Sequence, residues 1–174
     1  MIFFWIIFVV VLTFGFVVFI GSPYVPSQKK YIRQAFVKLY KISKNDVLVD
    51  IGSGDGVVLR EAAKLGARAL GYEINPLLII ISRILSAKFK NVKIHLVDFW
   101  YIKIPVDTTV IYIFSVTRDI NKITKLLQKE INRINKPVHL ISFAGKFNHF
   151  KLVKSVGPYD LYLINPLQQD KAQV

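Results

Sequence analysis

Between Asp50 and Gly56 the chain reads Asp-Ile-Gly-Ser-Gly-Asp-Gly, directly after the β-branched apolar run Val47–Ile51 and before the helix-compatible stretch Val57–Leu65. Glycines at the end of a strand permit a tight turn and let a ligand approach the backbone closely. That edge of an open α/β sheet is where ligands bind. Two phosphate-binding readings fail here. The dinucleotide pattern G-x-G-x-x-G requires glycine where Val57 stands, and the Asp55 carboxylate would repel a pyrophosphate. No Gly-Lys-Ser/Thr follows, so the loop is not a Walker phosphate cradle. Further acids fall at the ends of the next two strand-like runs, Glu73 at the end of Ala67–Ile74 and Asp98 after Val92–Val97. Asp50, Asp55, Glu73 and Asp98 are thus four of only 11 acids in a chain of net charge +13, all expected along one sheet edge. Such a concentration suits a ligand that carries positive charge.

S-adenosyl-L-methionine has that character, with no phosphate and with positive charge on its sulfonium and amino groups. Asp50 is expected to reach the amino group, directly or through water, above the loop of Gly52, Ser53, Gly54, Asp55 and Gly56. Glu73 stands where an acidic residue accepts from ribose hydroxyls in nucleotide-binding sheets. Asp98 is placed to accept from the adenine amino group, with Phe99 packing on the ring.

The elements that must position these residues alternate strand and helix, the pattern of an α/β sheet. After Val47–Ile51 and Val57–Leu65, closed by Gly66, comes the strand Ala67–Ile74. Pro76 opens a helix continued by Leu77–Phe89, followed by strands Val92–Val97 and Thr108–Phe114. Asp119–Ile134 is an amphipathic helix by its apolar spacing, and Val138–Phe143 a fifth strand. Lys151–Val156 and Tyr159–Ile164 flank Gly157-Pro158 as a hairpin, so the last strand is antiparallel. The 174 residues suit one globular domain, and a 53% apolar content excludes a disordered chain. With no cysteine there are no disulfides, thiolate metal sites or cysteine nucleophile. His95, His139 and His149 lack metal-ligand spacing, so no metal is expected.

Residues 1–20 carry no charge and are almost wholly Ile, Val, Phe, Leu and Trp. At about 1.5 Å per residue they would span roughly 30 Å, the hydrocarbon thickness of a bilayer. A cleaved leader would want a basic start and a small-residue cleavage site, and neither is present. A transmembrane anchor over 1–20 is therefore expected. Prolines and glycine in Gly21–Ser27 stop the helix, and Lys29, Lys30, Arg33, Lys38, Lys41 and Lys44 follow. Positive charge beside a span favours the cytoplasmic side and anionic lipid. The organisation expected is an anchor (1–20), a basic juxtamembrane linker that covers the cofactor (21–44) and an α/β domain (45–174). Nucleic acid, the other partner a basic chain suggests, is not expected beside an anchor.

The run Val47-Leu-Val-Asp-Ile-Gly-Ser-Gly-Asp-Gly56, with Gly71-Tyr-Glu-Ile-Asn-Pro76, resembles motif I and the following acidic motif of class I methyltransferases. Together with the apolar start, Pro23-Tyr24-Val25-Pro26 and Asp98-Phe99-Trp100, it is similar to the membrane-anchored lysine methyltransferases of the ATP synthase c-subunit family. The resemblance implies a Rossmann-like doubly wound sheet, S-adenosyl-L-methionine as cofactor and a lysine of a membrane protein as acceptor. It also implies that Tyr24 to Ser27 fold over the cofactor. The acceptor would enter beyond Phe114 and Ser115, with Tyr24, Trp100 and Phe114 as its aromatic path. Ser115 and Thr117 depart from the family's Phe-Gly-Val-Pro. Aromatic desolvation of the lysine could suffice for catalysis, so no general base is assigned. A quinone or lipid methyltransferase at the membrane surface, and a binding module that kept the pocket, are the other function classes open to the sequence.

Overall fold

The computed structural model describes residues 1–8, 11, 28–114 and 119–167. Seven strands form one sheet: β1 (Val47–Ile51), β2 (Arg68–Glu73), β3 (Val92–Leu96), β4 (Val110–Phe114), β5 (Val138–Phe143), β6 (Lys151–Val156) and β7 (Tyr159–Ile164). Their order across the sheet is β3-β2-β1-β4-β5-β7-β6. β1 to β5 pair in parallel, and β7 runs antiparallel between β5 and β6. The sequence expectation of a mostly parallel sheet with an antiparallel last strand holds, with boundaries shifted by a residue or two. β1 and β4 are central, and the order reverses between them, which opens a crevice at their carboxyl ends.

Period-two alternation splits the core into two layers. Leu48 and Tyr112 face the layer of α1 (Lys29–Gln34), α2 (Val57–Lys64) and α3 (Pro76–Ser86). Val49, Ile111 and Ile113 face the layer of α4 (Ile120–Ile134), whose Ile123, Leu127 and Ile131 are buried against them. Among the described residues the second layer is completed by a 3-10 turn and loops rather than by a second long helix. Residues 99–104 supply Ile102 and Ile104, and residues 144–150 supply Phe147 and Phe150 in place of a crossover helix. Buried Glu130 fastens the first of these segments to α4, accepting from Ile104 N at 2.8 Å and from Arg133 at 2.6 Å.

The structure differs from the linker reading of 21–44 in residues 29–39. They form α1 and a wider π-type turn (Ala35–Leu39) built into the first layer, with Ile32, Ala35 and Phe36 at 0–1% exposure. Alternating lysines conceal the helical spacing of these apolar residues in the sequence. Buried Glu61 of α2 secures α1 by accepting from Arg33 Nε at 2.6 Å and from Lys64 Nζ at 2.5 Å.

Residues 2–8 are helical, and the side chains of residues 1–8 and 11 are exposed. No helix of the described residues is long and apolar enough to cross a membrane. Most of the expected span, together with Tyr24, lies outside the described residues, as do Ser115 and Thr117.

Candidate functional site

The loop after β1 is tied to the end of β2. Tyr72 O accepts from Gly52 N at 2.9 Å and from Ser53 N at 3.0 Å, and Ser53 O accepts from Gly56 N at 2.8 Å. Gly52, Gly54 and Gly56 stand at φ 77°, 53° and 77°, left-handed values that side chains rarely adopt. Gly56 is further constrained because a Cβ there would collide with the Ser82 hydroxyl of α3. Gly71, inside β2, has a different reason: a Cβ would lie 2.6 Å from Ser53 Oγ and 2.5 Å from Leu59 Cδ1. The loop thus packs on both β2 and α3.

Three of the four predicted acids meet at this loop. Asp50 is 2% exposed at the end of β1, and its Oδ2 has no hydrogen-bond partner. Burial, and then the like charges of Glu73 and Asp55, push its carboxyl well above the usual carboxylate range. Glu73 is buried at the end of β2, where its carboxylate collects backbone donors. Oε2 accepts from Gly54 N at 2.8 Å, and Oε1 from Ile74 N at 2.9 Å and Asn75 N at 2.8 Å. A carboxylate offers about four lone-pair positions, so a single further donor can be accepted without displacing these. Two ribose hydroxyls together, as the sequence suggested, would require Glu73 to release a backbone donor.

Asp55 has a more structural role than expected. Its Oδ1 accepts from Val57 N at 3.2 Å, opening α2, and its Oδ2 pairs with Arg60 at 3.0 Å. Arg60 also donates to the Asp55 carbonyl. Asp98 begins the short turn Phe99–Tyr101 by accepting from Trp100 N at 3.1 Å, which leaves Oδ2 for a ligand. Val97 N donates to Glu73 O at 2.9 Å, so the Asp98 turn adjoins the same edge. Phe99 and Trp100 pack on each other at 4.3 Å, and Lys122 Nζ lies 3.9 Å from the Trp100 ring centre. Trp100 therefore already has a cation on its face.

Sequence reasoning missed Arg60, Asn75, Ser82, Phe143 and Tyr159. Asn75 is fully buried, caps α3 by accepting from Leu77 N at 2.9 Å, and leaves Nδ2 without a partner. Its signal was the Asn-Pro pair that starts a helix. Phe114 stands at the end of β4 beside Phe143 at 5.4 Å, and Phe143 meets Tyr159 at 5.0 Å. Tyr159 joins this wall because β7 enters antiparallel opposite Phe143, a pairing that no local pattern reveals.

The residues fit a cationic adenosyl ligand. Asp50 Oδ2 and Ser53 Oγ are buried acceptors without partners, and Asp98 and Glu73 retain acceptor capacity along one edge. Among the described residues no group of three or more metal-ligating side chains gathers.

No family model matches the chain. The human ATP synthase c-subunit lysine N-methyltransferase is 35% identical over 112 residues, covering 63% of this chain and 47% of that protein. The chain spans about half the length of the curated relatives of this kind that it matches. The ribosomal RNA small subunit methyltransferase A of Thermotoga maritima is 38% identical over 68 residues, covering 39% of this chain and 24% of that one. Among solved structures, an RNA methyltransferase from Salinibacter ruber in complex with S-adenosyl-L-homocysteine superposes with a TM-score of 0.72 at 23% identity, covering 84% of this chain and 97% of that one. The chain thus has the Rossmann-like fold of class I methyltransferases and is similar in sequence, over 112 of its residues, to the ATP synthase c-subunit lysine N-methyltransferases.

Proposed function

We propose that the chain is an S-adenosyl-L-methionine-dependent protein-lysine methyltransferase that works on a membrane protein. The observation that carries the reading is Asp50, a buried carboxyl with a free oxygen beside Glu73 and the glycine loop, in a chain similar to lysine methyltransferases. When bound, S-adenosyl-L-methionine supplies an electrophilic methyl group on a sulfonium. Asp50 and the loop from Gly52 to Gly56 hold the amino-acid end of the cofactor, Glu73 takes a ribose hydroxyl, and Asp98 with Phe99 takes the adenine. Phe114, Phe143 and Tyr159 form an aromatic wall at the end of β4 and β5. Water exclusion there lowers the pKa of an entering ammonium, so the acceptor arrives as a neutral amine without a dedicated base. Positioning then supplies most of the acceleration in an in-line transfer.

Residues 1–20 anchor the chain in the membrane as a single span, with the domain on the cytoplasmic side. Their uniform apolarity and the lysines that follow support this. Tethering holds the pocket in a thin layer above the lipid and raises the effective concentration of acceptors in that membrane.

Membranes from cells with and without the chain, supplied with methyl-labelled cofactor, test the reading. Label is expected in lysine of a membrane protein. Label confined to a quinone or lipid fraction overturns the acceptor assignment. A second reading, RNA as acceptor, draws on the net charge of +13 and the partial similarity to a ribosomal RNA methyltransferase. The RNA fraction of the same preparation decides it.

A further inference from the structure

α3 is built inside out. Towards the sheet it buries Leu78 and Ile79 but also Ser82 and Ser86, whose hydroxyls have no hydrogen-bond partner. Towards solvent it presents Ile80, Ile81, Ile84 and Leu85 at 55%, 37%, 69% and 48% exposure. Their i, i+1, i+4, i+5 spacing makes one continuous stripe. The small residue at 82 has a local cause, since the glycine loop comes so close that a Cβ at Gly56 would collide with the Ser82 hydroxyl. The large ones have none among the described residues. Leu96, on the same face of edge strand β3 as Ile94, extends the apolar surface at 54% exposure.

The surroundings of the stripe identify what it meets. Between residues 74 and 97 there is no acid, while Arg83, Lys88, Lys90 and Lys93 are all present and exposed. Arg83 spans from the helix to Ile94 O at 3.1 Å, and Lys88 Nζ sits 5.4 Å from the Phe89 ring centre. Exposed aliphatic residues among basic ones, on a helix, are the composition of a segment that lies in the interface of an anionic bilayer. A second copy of the same face would set these like charges against one another.

We infer that the Ile80, Ile81, Ile84 and Leu85 face of α3 lies in the headgroup region of an anionic membrane. The domain is then held at a second point besides its N-terminal segment. α3 starts at the carboxyl end of β2, so its docking presents the cofactor edge to the membrane in a fixed orientation. This inference rests on the reading that the chain works at a membrane, and it adds the surface that orients it there.

The chain has no cysteine, so single cysteines report cleanly. Full-length chain with Ile84→Cys, and a control with Lys129→Cys on the opposite layer, would carry an environment-sensitive fluorophore. Both would be reconstituted into vesicles of phosphatidylcholine and phosphatidylglycerol, with or without brominated acyl chains. The Ile84→Cys label is expected to be shielded from aqueous iodide and quenched severalfold more by bromolipid than the Lys129→Cys label. Adding Ile80→Ser and Leu85→Ser should return that label to water while cofactor binding persists. A label at 84 that is fully open to iodide overturns the inference. So does one shielded from iodide yet untouched by bromolipid, which would mean cover by protein, either another segment or a second copy. Vesicle flotation separates this outcome from the broader reading. A chain that floats with a water-exposed label at 84 overturns the α3 docking alone, and a chain that does not float overturns both.

Discussion

A carboxyl buried to 2% exposure between two other carboxylates destabilises the fold whenever it ionises. Asp50 takes up its proton more readily in the folded chain than at the ordinary value of 3.8. The sign follows from linkage. The folded state holds a proton that the unfolded state has released, so the contribution of Asp50 is intact at low pH and is lost as pH rises through its raised value. Asp50→Asn is therefore expected to raise the melting temperature of the cofactor-free chain at pH 8, with the gain shrinking towards acid. The same variant should lose cofactor binding on calorimetry. Parallel melting curves for the two chains across the pH range would refute this account of Asp50. Gly71 allows a test at the neighbouring strand. The methyl of Gly71→Ala would meet Ser53 and Leu59, an overpacking worth about 1–3 kcal/mol in urea unfolding, and cofactor affinity should fall with the displaced loop. The acids at strand ends were legible in the sequence because each follows a β-branched run directly. What they bond to was not. Arg60 reaches Asp55 through a helical turn, and Gly54 N reaches Glu73 through a fold-back of the loop, both matters of geometry rather than of residue type.

α1 and the π-type turn after it decide how much of the chain counts as the domain. Phe36 is 1% exposed in the first core layer, so Phe36→Ala should cost about 3–5 kcal/mol, read as a shift of the urea midpoint at constant slope. A loose linker over 21–44 would leave the midpoint unchanged. The strands were legible, down to the hairpin around Gly157-Pro158, because β-branched runs bounded by turn residues speak locally. Helix α1 and the π-type turn after it were not, since the three-to-four spacing of Ile32, Ala35, Phe36 and Leu39 is diluted by Lys29, Lys30, Arg33 and Lys38 on the other side. Nor was the crossover of residues 144–150, where Phe147 and Phe150 stack at 5.8 Å and fill with aromatic volume what a helix would otherwise cover. Nothing in the sequence distinguishes such phenylalanines from strand or loop residues until their partner Tyr162 is in place, its hydroxyl accepting from Phe147 N at 3.2 Å.

Four buried acids are shifted in opposite directions, Asp50 one way and Asp46, Glu61 and Asp160 the other. Burial alone would raise Asp46, Glu61 and Asp160, yet their hydrogen bonds bring all three below the ordinary range. For Asp160 the donors are Lys146 at 2.7 Å, Ser155 at 2.6 Å and Tyr162 at 3.1 Å. A lowered folded value means stability that is present above the unfolded pKa and lost as pH falls through the folded one. These carboxylates set the acid arm of the stability curve, and Asp50 bends the alkaline arm. Asp160→Asn should accordingly be less stable than the parent at pH 7, with the gap narrowing in acid-unfolding curves as pH falls from the ordinary aspartate value through the lowered one. The strand order carries a different consequence, one of timing on the ribosome. β7 is synthesised after β6 but belongs between β6 and β5. Until Tyr159–Ile164 has emerged, β5 is an open edge and β6 has nothing to pair with. At translation rates of ~5–20 residues per second, that interval is on the order of a second. The nascent chain passes through it with Leu152 and Val153 uncovered, flanked by Lys151 and Lys154. Charges on a lone strand discourage edge-to-edge association with neighbouring chains, so these two lysines act as guards for a protein that is not yet finished.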